Sequence, residues 1–287
     1  TGHTAIGYFV VESIIKAARA HSSQPRIILG GLIITTESEL MFNSLNLDFA
    51  VIGEGELTII ELLKTLYKKG DLSKVKGILY KDSTGKLIFT EKREPISKLD
   101  SIPYPDFDGF EFKEKLAHMP CDTNYVLADY PRVYPILGGR GCPFSCTFCY
   151  HPNKYRERSI KSVLKEISYA VKKYHINRIV LHDDCFAIKL ERIKEFCEGI
   201  KKIQSEISWE LKWIPQLTVH LITDELLKMM KDSGCDIISY GFESFSPTIL
   251  KSMQKPITPQ QIDNAFRKTI SNKMAVIGNF ILGDIAE

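Results

Sequence analysis

Residues 133–152 read VYPILGGRGCPFSCTFCYHP: a short apolar run, then glycines, then Cys142, Cys146 and Cys149 in the spacing C-x3-C-x2-C. VYPIL, stopped by glycine punctuation, predicts a strand. The cysteines then fall on the loop that leaves its carboxyl end, which is where enzymes built from alternating strands and helices carry their active sites. Iron-sulfur clusters usually take one thiolate per iron, so three cysteines leave one iron of a four-iron cluster without a protein ligand. An open coordination position is what a catalytic metal needs. Gly138, Gly139 and Gly141 would let the backbone wrap closely around an inorganic core, because glycine tolerates conformations that other residues resist. Structural zinc, with His151 as fourth ligand, is the alternative; zinc sites generally draw on two separated knuckles, and no second CxxC follows. Pro143, Ser145 and Thr147 interrupt any apolar face that would make the cysteines simple core residues.

Downstream, strand-like and helix-like stretches alternate: RIVL, WELKWI, DIISY and MAVIGNFIL are separated by amphipathic runs such as KSVLKEISYAVKKY and ERIKEFCEGIKKI. Thr258, Pro259 and Gln261 have the N-cap, first-turn and capping-box pattern of a helix start, and Gly234 closes the helix before it. Five strands with four intervening helices over 128–287 predict a parallel β/α partial barrel. Upstream, YFVVESIIKAAR (8–19) predicts a helix feeding the strand RIIL, which ends at Gly30 and Gly31. The order repeats through ESELMFNSL, FAVI, GEGE and ELTIIELLKTLYKKG, giving an incomplete doubly wound, Rossmann-like α/β domain over 1–75. Residues 76–127 hold a hairpin around DSTG and then a Pro-rich connector. The first element lacks a preceding strand and the last strand lacks a following helix, as expected of a fragment.

Composition narrows the class. With 44% hydrophobic and 25% charged residues, the chain of 287 can bury one large core or two ordinary ones. Its apolar runs fall short of the roughly 20 residues a membrane span needs, and no signal peptide is legible at the start. The cytoplasm is therefore the expected compartment, where seven cysteines are thiols or metal ligands rather than disulfides. A net charge of +3 is too small to imply a nucleic-acid partner.

C-x3-C-x-F-C after the first strand of such a domain resembles the radical S-adenosylmethionine superfamily. The resemblance implies a 4Fe-4S cluster on Cys142, Cys146 and Cys149 whose open iron is chelated by S-adenosylmethionine. One electron then breaks a carbon-sulfur bond to give methionine and a 5'-deoxyadenosyl radical. It also implies S-adenosylmethionine contacts at the strand ends: Phe148 near the adenine, Asp183 and Asp184 in HDDCF for the methionine amino group, Glu243 and Ser244 in GFES at the ribose, and Gly283 in GNFILGD at the adenine. The two aspartates have a plainer reading as caps of the helix beginning near Leu190. Gln216 stands where many relatives carry arginine. Cys185, Cys197 and Cys235 read as packing residues, His175, His182 and His220 as structural, and Cys121 has no assignable role.

IILGG followed by FAVIGEGE, with the connector LDSIPYPDFDGF, is similar to the superfamily's cobalamin-binding branch. Gly30, Gly31, Gly53 and Gly55 would then let the cobalamin tail pass close to the backbone, while His3 matches no cobalt-ligating motif. The implied activity is cobalamin-dependent C-methylation, with radical cyclisation or rearrangement as the alternative and a non-catalytic zinc-binding module as the reading from another class. Methylthiolation would call for further N-terminal cysteines and a nucleic-acid-binding module. The expected partners are a small-molecule substrate and an electron donor such as flavodoxin or ferredoxin.

Overall fold

Glycines and prolines punctuate the chain at its turns, and the computed structural model places regular elements between them over residues 7–118, 132–150 and 154–287. His3, Cys121 and His151 lie outside these described residues. The chain forms two units, Thr1–Ser97 and Lys98–Glu287. Among the described residues no helix is long and apolar enough to cross a membrane.

Unit 1 contains α1 (Tyr8–Ala20), β1 (Ile28–Gly30), α2 (Leu32–Thr36), α3 (Ser38–Ser44), β2 (Phe49–Val51), α4 (Gly55–Tyr67), β3 (Ile78–Lys81) and β4 (Leu87–Phe89). The strands form one sheet in that order; β1 and β2 are parallel, while β3 and β4 run antiparallel. Both faces are covered. Ile15, Ile34, Phe42 and Ala50 are buried together in one cluster, and Phe49, Leu62 and Ile78 in another. The alternation expected of a wholly parallel sheet therefore stops at β2. Its free edge must find hydrogen-bond partners, and the hairpin that the sequence groups with the connector supplies them, so unit 1 extends to Ser97. Asp82 sets the hairpin turn by accepting from the backbone N–H groups of Thr84 (2.8 Å) and Lys86 (3.0 Å).

Unit 2 begins with α5 (Phe112–His118) and β5 (Val133–Ile136), followed by the short β6 (Gly139–Arg140) and β7 (Arg156–Glu157). Then come α6 (Ile160–Tyr174), β8 (Arg178–Leu181), α7 (Leu190–Ser205), β9 (Lys212–Ile214), β10 (Gln216–Leu217) and α8 (Asp224–Asp232). The unit closes with β11 (Ile237–Glu243), α9 (Pro247–Ser252), α10 (Pro259–Ser271) and β12 (Ala275–Phe280). Strands β5-β8-β9 and β10-β11-β12 are parallel throughout. Pro215, which has no N–H to donate, separates β9 from β10, and a parallel bridge from Trp213 to Cys235 spans the break.

Period-two alternation sorts the strand residues onto two faces. Tyr134, Ile136, Ile179, Leu181, Trp213, Ile238 and Tyr240 pack with helix residues such as Ile167, Phe196 and Met230. Val133, Val180, Ile214 and Ile237 form a smaller cluster of branched side chains on the other face. Full burial of a side chain such as Ile179 or Phe196 contributes about 1.5–3 kcal/mol. The capping box read from the sequence is present on α10: Gln261 N–H donates to Thr258 Oγ1 at 3.2 Å and Thr258 N–H to Gln261 Oε1 at 2.9 Å.

Candidate functional site

The cysteine loop leaves β5 through Leu137 and Gly138, and three largely buried polar side chains hold that exit. Arg192, on the first turn of α7, donates to the carbonyls of Phe186 (3.0 Å), Arg158 (2.8 Å) and Gly138 (2.8 Å). Arg158 donates to Leu137 O at 3.0 Å and pairs at 2.6 Å with Glu166, a buried carboxylate that also accepts from Tyr134 Oη at 3.0 Å. A buried carboxylate is tolerable when it is both paired and hydrogen-bonded, as Glu166 is. The third is Asp183, at the end of β8, whose Oδ2 accepts from Gly138 N–H at 3.0 Å. Antiparallel pairing of Gly139 with Glu157 and of Arg140 with Arg156 then closes the base of the loop. A Cβ on Gly139 would lie 2.9 Å from Arg156 O, so this approach needs glycine.

Within the loop, Cys142 is half-buried, Cys146 buried and Cys149 exposed. Burial pushes the Cys146 thiol up, and the Lys255 ammonium opposes the rise. Cys185 shares a hydrogen bond with Cys142, which together with burial holds the Cys185 thiol up; Cys197 and Cys235 are fully buried packing residues. Among the described residues no three His, Cys, Asp or Glu side chains are grouped as ligands of a single ion.

The two adjacent aspartates part company. Asp184 is exposed, whereas Asp183 is 1% exposed and its Oδ1 has no hydrogen-bond partner among the described residues. Burial pushes the Asp183 carboxyl up to about 6, against the Gly138 N–H and Arg192, which pull it down. Neither aspartate caps α7, whose N-cap is Lys189 with no side-chain cap bond.

At the end of β11 the pairing with β12 slips between Gly241 and Glu243, and Glu243 takes φ +61°. That left-handed backbone is uncommon for a non-glycine residue. It folds the Glu243 carboxylate back so that Oε1 lies 2.4 Å from where a Gly241 Cβ would stand. Oε1 pairs with Lys255 Nζ at 3.0 Å, and both side chains are largely buried. Lys255 Nζ also stands 5.9 Å from the centroid of the Phe148 ring. Ser244 Oγ accepts from Ser246 N–H at 3.1 Å. Gly283 follows β12 with φ +88°, and nothing approaches the space a Cβ would take. Gln216 lies on β10, its carbonyl accepting from Phe186 N–H at 3.4 Å. His175 caps α6 in a left-handed conformation and stacks on Trp209, and His220 stacks on Phe144, so both have structural contacts.

In unit 1, Gly31 follows β1 with φ 110° and ψ −174°, and Gly53 follows β2 with φ +78°. Gly53 N–H donates to Thr35 Oγ1 at 3.1 Å. Gly30 and Gly55 would place a Cβ no closer than 3.4 and 3.5 Å to Val51.

Sequence reasoning missed Lys255, Arg192 and Arg158. The only local signal for Lys255 was a cation just before the capping box.

The profile of the Radical SAM superfamily matches residues 136–285. An uncharacterized methyltransferase of Pyrococcus horikoshii is 31% identical over 285 residues, covering 98% of this chain and 59% of the relative. An anaerobic magnesium-protoporphyrin IX monomethyl ester cyclase of Rubrivivax gelatinosus is 27% identical, covering 98% of this chain and 50% of its own. The chain thus spans little more than half the length of these curated relatives. The cobalamin-dependent S-adenosylmethionine radical enzyme OxsB superposes with a TM-score of 0.74 at 23% identity, over 98% of this chain and 40% of its own. The radical S-adenosylmethionine methyltransferase TsrM of Kitasatospora setae gives 0.74 at 16% identity, over 98% and 54%. At these identities the two structures speak for the fold.

Proposed function

This chain belongs to the radical SAM superfamily, and from that premise we propose that Cys142, Cys146 and Cys149 hold a 4Fe-4S cluster at which S-adenosylmethionine is reductively cleaved. We further propose that the whole protein uses this for cobalamin-dependent C-methylation of a small molecule. The carrying observation is the cysteine loop at the end of β5, with Asp183 and Glu243 at the ends of later parallel strands. The residues present fit the cluster and its ligand in three respects. The loop offers three thiols for three irons, Asp183 Oδ1 is a buried oxygen that lacks a donor among the described residues, and Lys255 offsets negative charge gathered near Cys146 and Cys149. When bound, the cluster supplies an open iron for chelation and the electron that breaks the carbon-sulfur bond.

The chain's own residues position and shield. Arg192, Arg158 and Asp183 fix the exit of the loop, so that the thiols start from a rigid strand end. Asp183 Oδ1 and the exposed Asp184 present carboxylate oxygens to the methionine ammonium, a partner that would return the Asp183 carboxyl toward the ionised form. Glu243 and Ser244 would hold the ribose hydroxyls, and Phe148 and Gly283 would line the adenine.

For unit 1 we propose the cobalamin-binding role of an incomplete doubly wound domain, and for unit 2 a partial barrel. Support comes from glycine turns at the carboxyl ends of β1 and β2, where such sheets take ligands, and from relatives named as methyltransferases. Cyclisation is the second reading, favoured by the Rubrivivax relative. The proposed partners are a flavodoxin or ferredoxin and a small-molecule substrate, in the cytoplasm.

The test is expression of the intact protein with hydroxocobalamin, followed by visible spectroscopy and a labelled-methyl assay. A retained corrinoid that takes the methyl group from S-adenosylmethionine is the expected result. A protein that cleaves S-adenosylmethionine yet carries no corrinoid would refute the cobalamin role.

A further inference from the structure

The turn after α9 embraces the cysteine loop. Thr147 N–H donates to Met253 O at 3.0 Å, and Thr147 Oγ1 to Ser252 O at 3.5 Å. On the far side of Lys255, Pro256 O hydrogen-bonds His220 Nε2 at 2.6 Å, and the His220 ring stacks on Phe144 at 5.9 Å. Residues 252–253 thus bond the loop just after Cys146, and Pro256 is linked through His220 to Phe144 just before it. Gln254 takes φ +50°, and Lys255 N–H returns to Leu250 O at 2.9 Å, which turns the chain at the end of α9. From there the Lys255 side chain, 18% exposed, places its ammonium between Glu243 Oε1 and the ring of Phe148. Phe148 directly precedes Cys149 and lies two residues after Cys146.

We propose that Lys255 is a positioning residue that makes the cluster easier to reduce, its fixed cation stabilising the negative charge gained on reduction while its partner Glu243 opposes it. The inference rests on the reading that the three cysteines hold the cluster. Net charge close to an iron-sulfur cluster is one of the terms that set its reduction potential. The charge is shielded from water and therefore weakly screened by salt. Glu243 serves a second purpose here: its carboxylate, folded back over Gly241, fixes the ammonium in place.

The experiment is an anaerobic redox titration of the reconstituted full chain, without S-adenosylmethionine, followed by electron paramagnetic resonance at matched iron content. Lys255→Met is expected to lower the equilibrium constant for one-electron reduction at least tenfold, a shift of 59 mV. Glu243→Gln is expected to move it the opposite way, and Lys255→Arg to stay close to the parent. Should Lys255→Met fail to retain iron, a raised Glu243→Gln potential beside an unmoved Lys255→Arg still supports the proposal, and an unmoved Glu243→Gln overturns it. A Lys255→Met potential equal to the parent's would overturn the proposal. So would a fall in both the Glu243→Gln and Lys255→Met variants, the signature of a disturbed loop. A parent chain that assembles no cluster overturns this proposal together with the reading beneath it, whereas a clustered parent with unmoved variants overturns this one alone.

Discussion

Unit 1 finishes β1 and β2 in glycine and backbone, through Gly30-Gly31 and Gly53, whereas unit 2 finishes β5, β8 and β11 in thiols and buried carboxylates. A strand end of the first kind lets a bulky ligand lie against main chain, with hydrogen bonds such as Gly53 N–H to Thr35 Oγ1 setting the turn. A strand end of the second kind must manage desolvated charge, and unit 2 does so with Arg192, Arg158 and Lys255. In the proposed reading the contrast separates holding from reacting: unit 1 would offer shape, and unit 2 ligands and fixed charges.

The contrast can be broken most severely at Cys146. Cys146→Ser is expected to cost most of the bound iron and at least ~10³-fold in 5'-deoxyadenosine formation, since removing a metal ligand abolishes the site outright. Corrinoid retention by the same variant should persist. Iron analysis and absorption spectra on one sample check both, and joint loss would show that the two units do not carry separate tasks.

Asp183→Asn probes the buried charge. The Asp183 carboxyl, at about 6 in the folded chain, lies above its unfolded value near 3.9, so the folded state binds the proton more tightly. Its contribution is therefore fully present below about pH 4 and is lost as pH rises through 6. One pKa unit is 1.36 kcal/mol, so the variant should gain roughly 2 kcal/mol on the parent between pH 4 and pH 7. Urea unfolding of the metal-free chain at those two pH values measures the gain, and a pH-independent difference would count against the burial argument.

The smallest effect is expected in unit 1. Gly31 has a φ/ψ combination open essentially to glycine alone, and Gly31→Val should destabilise unit 1 by about 1–3 kcal/mol. It should also weaken corrinoid retention while leaving iron content unchanged. Iron loss in this variant would blur the division between the units.

The sequence was most legible where local chemistry decides structure. The cysteine loop, the capping box of Thr258 and Gln261, and the helix-ending Gly234 each depend on neighbours a few residues away. Contacts made by tertiary packing were not legible. Arg192 reaches Gly138 across 54 positions, and nothing in ERIKEFCEGIKKI marks it as the anchor of the loop. Lys255 is only 12 positions from Glu243, yet their pairing depends on the slip between Gly241 and Glu243, which pattern does not announce. The short helices α2 and α9 were missed because five or six residues give too little periodicity to read. Asp183 was expected at the lip of β8, and its burial against Gly138 became visible only with the fold.

The central claim is that the three cysteines of unit 2 hold a cluster that cleaves S-adenosylmethionine. Anaerobic reconstitution of the full chain, with iron and sulfide analysis and a single-turnover assay after reduction, tests it most directly. The account predicts a brown protein with about four irons per chain that forms 5'-deoxyadenosine and methionine. One tightly bound zinc per chain and no cleavage would contradict it.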